Sequence, residues 1–248
     1  MRAVVVGASS GLGRCIAIGL GRRGANVAVL ARRHERLVDT AQAIGPAALA
    51  VPCDATDPAS CREAIEKAAA GLGGIDGLVY APGIGPLARL VDLDAATWRA
   101  AFETNVIGAA LVTAAAIPHL TASNGAAAYL STVSASLTPP WPGLGAYAVS
   151  KAALDKLVEA WRIEHPRVGF TRVVVGDCAG GEGHSAIEFA KSWDPARAAE
   201  FLPLWAERKY LTGALLDVED LVRVVDTVLR CGSSASIPSV TVTPRPPA

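Results

Sequence analysis

The sequence predicts an α/β fold: a doubly wound parallel sheet of about seven strands with helices on both faces. Three observations predict it. Short β-branched runs alternate with longer stretches of helical spacing, the pattern of right-handed βαβ units. The runs are apolar almost throughout, as strands buried on both faces are. The first run leads directly into a glycine cluster that opens a helix, an arrangement suited to holding a phosphate.

The elements follow in order. Ala3–Val6 is a strand bounded by glycine, and Leu12–Arg23 a helix closed by Gly24, a natural helix terminator. Val27–Leu30 is the second strand, and Glu35–Ile44 a helix ended by Gly45 and Pro46. Ala48–Cys53 reads as a strand. Asp57 then caps a helix running to about Leu72, with Pro58 in its first turn. Leu78–Tyr80 is a strand, a long helix spans Ala95–Ile117, and Ala126–Leu130 is the fifth strand. Thr132–Ala146 reads as a Pro/Gly loop, followed by a helix from Tyr147 to Trp161 and a strand at Phe170–Val175. Asp217 begins a last helix to Arg230, and Ser239–Val242 is the final strand.

No linker divides the chain, so residues 1–248 are expected to form one domain. The long segment Gly176–Leu216, with Phe189, Trp193, Phe201 and Trp205, reads as a lid over the carboxyl ends of the strands. The alternative is a docked pair of surface helices.

Composition excludes several function classes. Apolar residues make up 51% of the 248, enough for a substantial core, and the formal net charge is zero. A basic nucleic-acid surface is therefore not expected. The first apolar run is too short for a signal peptide, and no run of apolar residues reaches the length of a membrane span. Five cysteines without a CxxC pair fit the reduced thiols of a cytoplasmic protein. The scattered histidines give no metal-ligand spacing, so no metal is expected.

Gly7-Ala8-Ser9-Ser10-Gly11-Leu12-Gly13 places three glycines between strand and helix. Glycine lets the backbone turn sharply and lets a pyrophosphate approach, and the free N–H groups of the helix start face it. The second strand ends in Leu30-Ala31-Arg32-Arg33. An acidic residue there would hold a ribose 2′-hydroxyl, whereas a guanidinium suits a 2′-phosphate. NADP(H) is therefore the expected cofactor, with Arg32 or Arg33 as phosphate partner.

In Tyr147-Ala148-Val149-Ser150-Lys151, the tyrosine and lysine lie one turn apart on one helix face. Moving a phenol from its ordinary pKa near 10 to neutrality takes about 4 kcal/mol. An ammonium at about 4 Å, in an effective dielectric of about 20, supplies a term of that size. The phenol can then exchange a proton with a carbonyl or alcohol oxygen.

These motifs resemble the short-chain dehydrogenase/reductase family, whose glycine spacing is that of Gly7, Gly11 and Gly13, and the resemblance spans nearly the whole chain. It implies a Rossmann-type fold, a homodimer or homotetramer, and a small-molecule carbonyl or alcohol substrate, with no nucleic-acid or membrane partner. By the same resemblance Asp54 contacts adenine, and Ala81 and Gly83 stand in the motif after the fourth strand. Asn105 bends a helix and holds a water beside Lys151. The family's serine-to-tyrosine interval selects Ser134 as the hydroxyl donor, whereas counting from Gly125 selects Thr132; Ser134 is preferred. Cys178 stands where a threonine usually meets the carboxamide, in an altered turn Gly176–Gly181 with Asp177 beside it. The resemblance thus implies an NADP(H)-dependent ketoreductase or alcohol dehydrogenase acting on a mostly apolar small molecule. Non-redox use of the fold, as an epimerase, dehydratase or cyclase, and non-catalytic sensing of NADP(H) are the alternatives.

Overall fold

The computed structural model describes residues 1–185, 188–210 and 213–245. Its strands are β1 (Arg2–Val6), β2 (Asn26–Ala31), β3 (Leu49–Pro52), β4 (Gly77–Tyr80), β5 (Ala126–Thr132), β6 (Gly169–Val175) and β7 (Ser239–Val242). They form one parallel sheet in the order β3-β2-β1-β4-β5-β6-β7. The chain leaves β1 toward one edge and returns at β4 toward the other. The crevice at the carboxyl ends of β1 and β4 is therefore the switch point where such sheets take ligands.

The helices are α1 (Gly11–Arg22), α2 (His34–Ile44), α3 (Pro58–Leu72), α4 (Ala95–Phe102), α5 (Gly108–Ser123), α6 (Val133–Ser136), α7 (Gly145–Glu164), α8 (Pro195–Glu207) and α9 (Val218–Leu229). Two apolar layers sandwich the sheet. On one face Ile16 and Leu20 of α1, Leu37 of α2, and Leu221 and Val225 of α9 pack on Val5 and Val29. On the other, Ile65 of α3, Val112 of α5, and Leu154 and Val158 of α7 pack on Val4, Leu78 and Tyr129. Doubly buried strands need apolar residues on both sides, which accounts for their unbroken runs.

Local signals act as expected at several boundaries. The Asp57 carboxylate accepts from the Ala59 N–H at 2.9 Å, with Pro58 in the first turn of α3. Asp217 caps α9 by accepting from the Glu219 N–H at 2.9 Å.

Two expectations are corrected. The loop expected over Thr132–Ala146 begins with α6, and the strand before it runs on through Thr132. The single helix expected over Ala95–Ile117 carries a π turn, Glu103–Ile107, and continues to Ser123. An 18-residue window of that continuous helix, Ala95–Ser123, has mean hydropathy 1.6, so by length and composition alone the helix could cross a membrane. Ala109, Val112, Ala116 and Leu120 of this helix are buried in the core.

Candidate active site

At the end of β1 the chain turns through Gly7, at φ +80°, where a Cβ would lie 2.9 Å from the Pro82 nitrogen. Gly13 is more confined: a Cβ there would stand 2.4 Å from the Gly7 carbonyl oxygen. The turn therefore closes only on a bare backbone. The Ser10 side chain caps none of the N–H groups that begin α1, and the first turn holds no acidic residue. An uncapped helix start behind a glycine turn fits a pyrophosphate. Gly13→Ala should lose about 1–3 kcal/mol of stability, because the obstacle is backbone that cannot rotate away. Dinucleotide affinity should fall with it; thermal unfolding with and without dinucleotide checks both.

Around this turn the Arg33 guanidinium donates to the Ser9 hydroxyl at 3.0 Å and to the Ser10 hydroxyl at 2.7 Å. Arg32 is exposed, near enough to Asp54 to help hold its carboxyl below the usual range. The larger cause is the Thr56 backbone N–H, which donates to Asp54 Oδ1 at 3.0 Å. Leu12 packs at the edge of the α1 layer. The Ala81 N–H donates to the Val6 carbonyl at 3.1 Å, tying the β4 loop to β1.

Tyr147 and Lys151 both lie in α7. The Lys151 ammonium is buried, donating to the Leu130 carbonyl at 2.8 Å and the Pro82 carbonyl at 3.4 Å. It thus bridges the ends of β4 and β5, and a Cβ on Gly83 would lie 3.2 Å from Nζ. Burial lowers the Lys151 pKa to about 8, against the opposing pull of Asp155, one turn further along α7. Tyr147 is half-buried, its ring edge-on to Phe189 with centroids 4.8 Å apart.

Burial pushes the Tyr147 phenol up to about 12, with the Thr132 side chain pulling the other way. Burial thus opposes the lowering expected from the lysine. Thr132, the last residue of β5, is the hydroxyl that acts on the phenol's proton affinity. Ser134 is buried in α6, its hydroxyl 3.3 Å from that of Thr132. β5 runs on to Thr132, which places that residue at the carboxyl end of a central strand, two positions before Ser134 in α6.

Asn105 sits in the π turn and is fully buried. Its Oδ1 accepts from the Ile84 N–H at 2.9 Å, and its Nδ2 donates to the Ile84 carbonyl at 2.9 Å and the Ser150 hydroxyl at 2.8 Å. It therefore staples the loop after β4 to α7, beside Gly83 and Lys151. Cys178 is buried in the α1/α9 layer, toward Cys15, and burial raises its thiol pKa. Its backbone forms a bridge with Leu216, closing the base of the long segment.

Of the segment expected as a lid over 176–216, Phe189 packs on Tyr147 and two tryptophans bond to neighbouring loops; residues 186, 187, 211 and 212 lie outside the described residues. Trp193 Nε1 donates to the Gly85 carbonyl and Trp205 Nε1 to the Pro142 carbonyl, each at 2.8 Å. Phe189, Trp193, Phe201 and Trp205 join Trp141 and Tyr147 in one aromatic cluster. Sequence reasoning missed Ser150, Arg36 and Glu188. Glu188 accepts from Arg33 at 3.0 Å and Arg36 at 2.8 Å, and these partners hold its carboxyl down near 2.

Comparisons with known proteins agree with this architecture. A family model described as short chain dehydrogenase matches residues 1–183. A short chain dehydrogenase of Pseudocercospora fijiensis is 36% identical over 167 residues, 65% of this chain and 54% of that protein. The 11-beta-hydroxysteroid dehydrogenase 1A of Arabidopsis thaliana is 34% identical over 166 residues, 65% of this chain and 47% of its own length. The chain thus spans about half the length of these curated relatives. A short-chain type dehydrogenase/reductase from Mycobacterium marinum superposes with TM-score 0.83 at 26% identity, covering 98% of this chain and 93% of that one.

Proposed function

The chain belongs to the short chain dehydrogenase family, and from that premise we propose that it is an NADP(H)-dependent ketoreductase or alcohol dehydrogenase. The observation that carries the reading is Tyr147 and Lys151 one turn apart on α7, the buried ammonium held by the Leu130 and Pro82 carbonyls at the ends of β5 and β4, where β5 also ends in Thr132. When bound, the nicotinamide supplies or accepts the hydride, and its oxidised form adds positive charge beside the phenol. Tyr147 gives its proton to the substrate oxygen in reduction and takes one in oxidation. Thr132 fixes that oxygen by hydrogen bonding, and Ser134 supports Thr132 from behind. Lys151 favours the phenolate by charge, and Asn105 keeps the loop beside it in place.

Gly7, Gly11 and Gly13 would hold the pyrophosphate, and Ser9 and Ser10 orient the Arg33 guanidinium toward a 2′-phosphate. The segment 176–216 acts as a lid within one catalytic domain. Its aromatic cluster supports a mostly apolar substrate, and one relative is named a hydroxysteroid dehydrogenase. We place the enzyme in the cytoplasm as a homo-oligomer.

The test is dinucleotide oxidation against a panel of apolar ketones. NADPH should be consumed in step with ketone, and Arg33→Ala should weaken NADPH by about ten-fold or more while sparing NADH, the loss of one charge-assisted phosphate contact. Conversion of substrate without net NADPH consumption would refute the redox assignment.

A further inference from the structure

Arg33 follows the end of β2, and Arg36 lies one turn further along in α2. Both guanidinium groups donate to a single carboxylate, that of Glu188, at 3.0 and 2.8 Å. Glu188 comes from the segment over the site, and Lys191 also reaches it, at 3.3 Å. The next residue, Phe189, sets its ring against Tyr147, and its Cζ would meet a Cβ on Gly85 at 2.2 Å. Two successive residues therefore cover both ends of the crevice: one neutralises the arginine pair, the other lies on the phenol.

We propose that Glu188 is a specificity-determining residue, a displaceable stand-in for the cofactor's 2′-phosphate that also keeps Phe189 over Tyr147. This rests on the reading of Arg33 as the phosphate partner. A 2′-phosphate carries more charge and more acceptor oxygens than a carboxylate and competes for the same two guanidinium groups. A dinucleotide without that phosphate has no group to exchange for Glu188 and leaves the segment latched. Selection between the two cofactors thus acts twice, in affinity at Arg33 and Arg36 and in access to Tyr147. The ion pairs are partly exposed, with side-chain exposures of 45% for Arg33, 25% for Arg36 and 26% for Glu188, so the latch is weak enough to be displaced.

Calorimetry with adenosine 2′,5′-bisphosphate and adenosine 5′-monophosphate tests this without turnover. Glu188→Gln and Glu188→Ala should each tighten the bisphosphate about three- to ten-fold, the scale of two partly exposed ion pairs, and leave the monophosphate unchanged. In the unaltered chain, the bisphosphate but not the monophosphate should also speed trypsin cleavage after Lys191, which is 70% exposed. Unchanged or weakened bisphosphate binding in both Glu188 variants, with Arg33→Ala still weakening it, overturns the latch and leaves the cofactor reading intact. If Arg33→Ala does not alter discrimination between the two nucleotides, the cofactor reading fails and the latch with it. Cleavage indifferent to the bisphosphate overturns the link to Phe189.

Discussion

Tyr147→Phe loses about two to four orders of magnitude in turnover, the contribution of a positioned general acid, while dinucleotide affinity and thermal stability stay close to those of the parent. The substitution removes one oxygen and keeps the ring against Phe189, so the packing that positions the lid survives. Burial holds the phenol near 12, which leaves it protonated at neutral pH. Carbonyl reduction uses that form directly. Alcohol oxidation needs the proton removed first, so its rate should climb as the pH is raised through the alkaline range. Companion variants separate the two hydroxyls. Thr132→Ala removes the hydroxyl that draws the phenol's pKa down and should cost more than ten-fold in kcat, whereas Ser134→Ala, which removes a hydroxyl 3.3 Å from that of Thr132, should cost only a few-fold. Equal losses from the two would overturn the assignment of Thr132; steady-state kinetics with saturating NADPH reads the difference.

Lys151→Met should abolish most activity and yet stabilise the fold. The ammonium is 3% exposed, and burial lowers its pKa from 10.5 to about 8. Between those values the unfolded chain binds a proton that the folded chain does not, so stability rises with pH across that window. Below about pH 8 the cost of burying the charge is carried in full, and an apolar side chain of similar length relieves about 1–3 kcal/mol of it. Asp155 limits the gain. It is buried beside the lysine, its carboxyl already pushed up by burial, and without the ammonium it keeps only Arg172, at 3.8 Å, as a cationic neighbour among the described residues. Denaturant unfolding at several pH values tests this: the advantage of the variant should be largest at pH 7 and shrink as the pH rises from 8 toward 10.5. A variant less stable than the parent at pH 7 would show that the bonds to Leu130 and Pro82 outweigh desolvation.

Much of the fold and part of the site were legible before any coordinates. Gly7, Gly11 and Gly13 lie within one turn of chain, and Tyr147 and Lys151 within one turn of helix. Local spacing therefore announces both, and helix geometry puts the lysine on the tyrosine's side. The arginine pair Arg32 and Arg33 was legible because strand direction alone carries it to the end of β2, though not which of the two faces the glycine turn. Thr132 was harder to choose over Ser134, since the decision depends on how far β5 extends, and a two-residue difference in a run of small polar residues leaves no periodic signal. Glu188 was invisible: it meets Arg33 across 155 positions of sequence, and nothing near either residue points to the other. The upward pull of burial on the phenol was invisible for a related reason. Charges can be counted along a chain, but desolvation comes from the fold closing over Tyr147, with Phe189 among the covering groups.

The sequence by itself determined the α/β layering, the glycine turn and the Tyr147–Lys151 pair, because apolar periodicity, glycine backbone freedom and helical spacing act over a few residues. Only the tertiary structure decided where β5 ends, which carboxylate holds the arginines, and which way burial pulls the phenol and the ammonium. Those outcomes depend on burial and on contacts between distant segments, and electrostatic energies follow the surroundings of a group far more than its position along the chain.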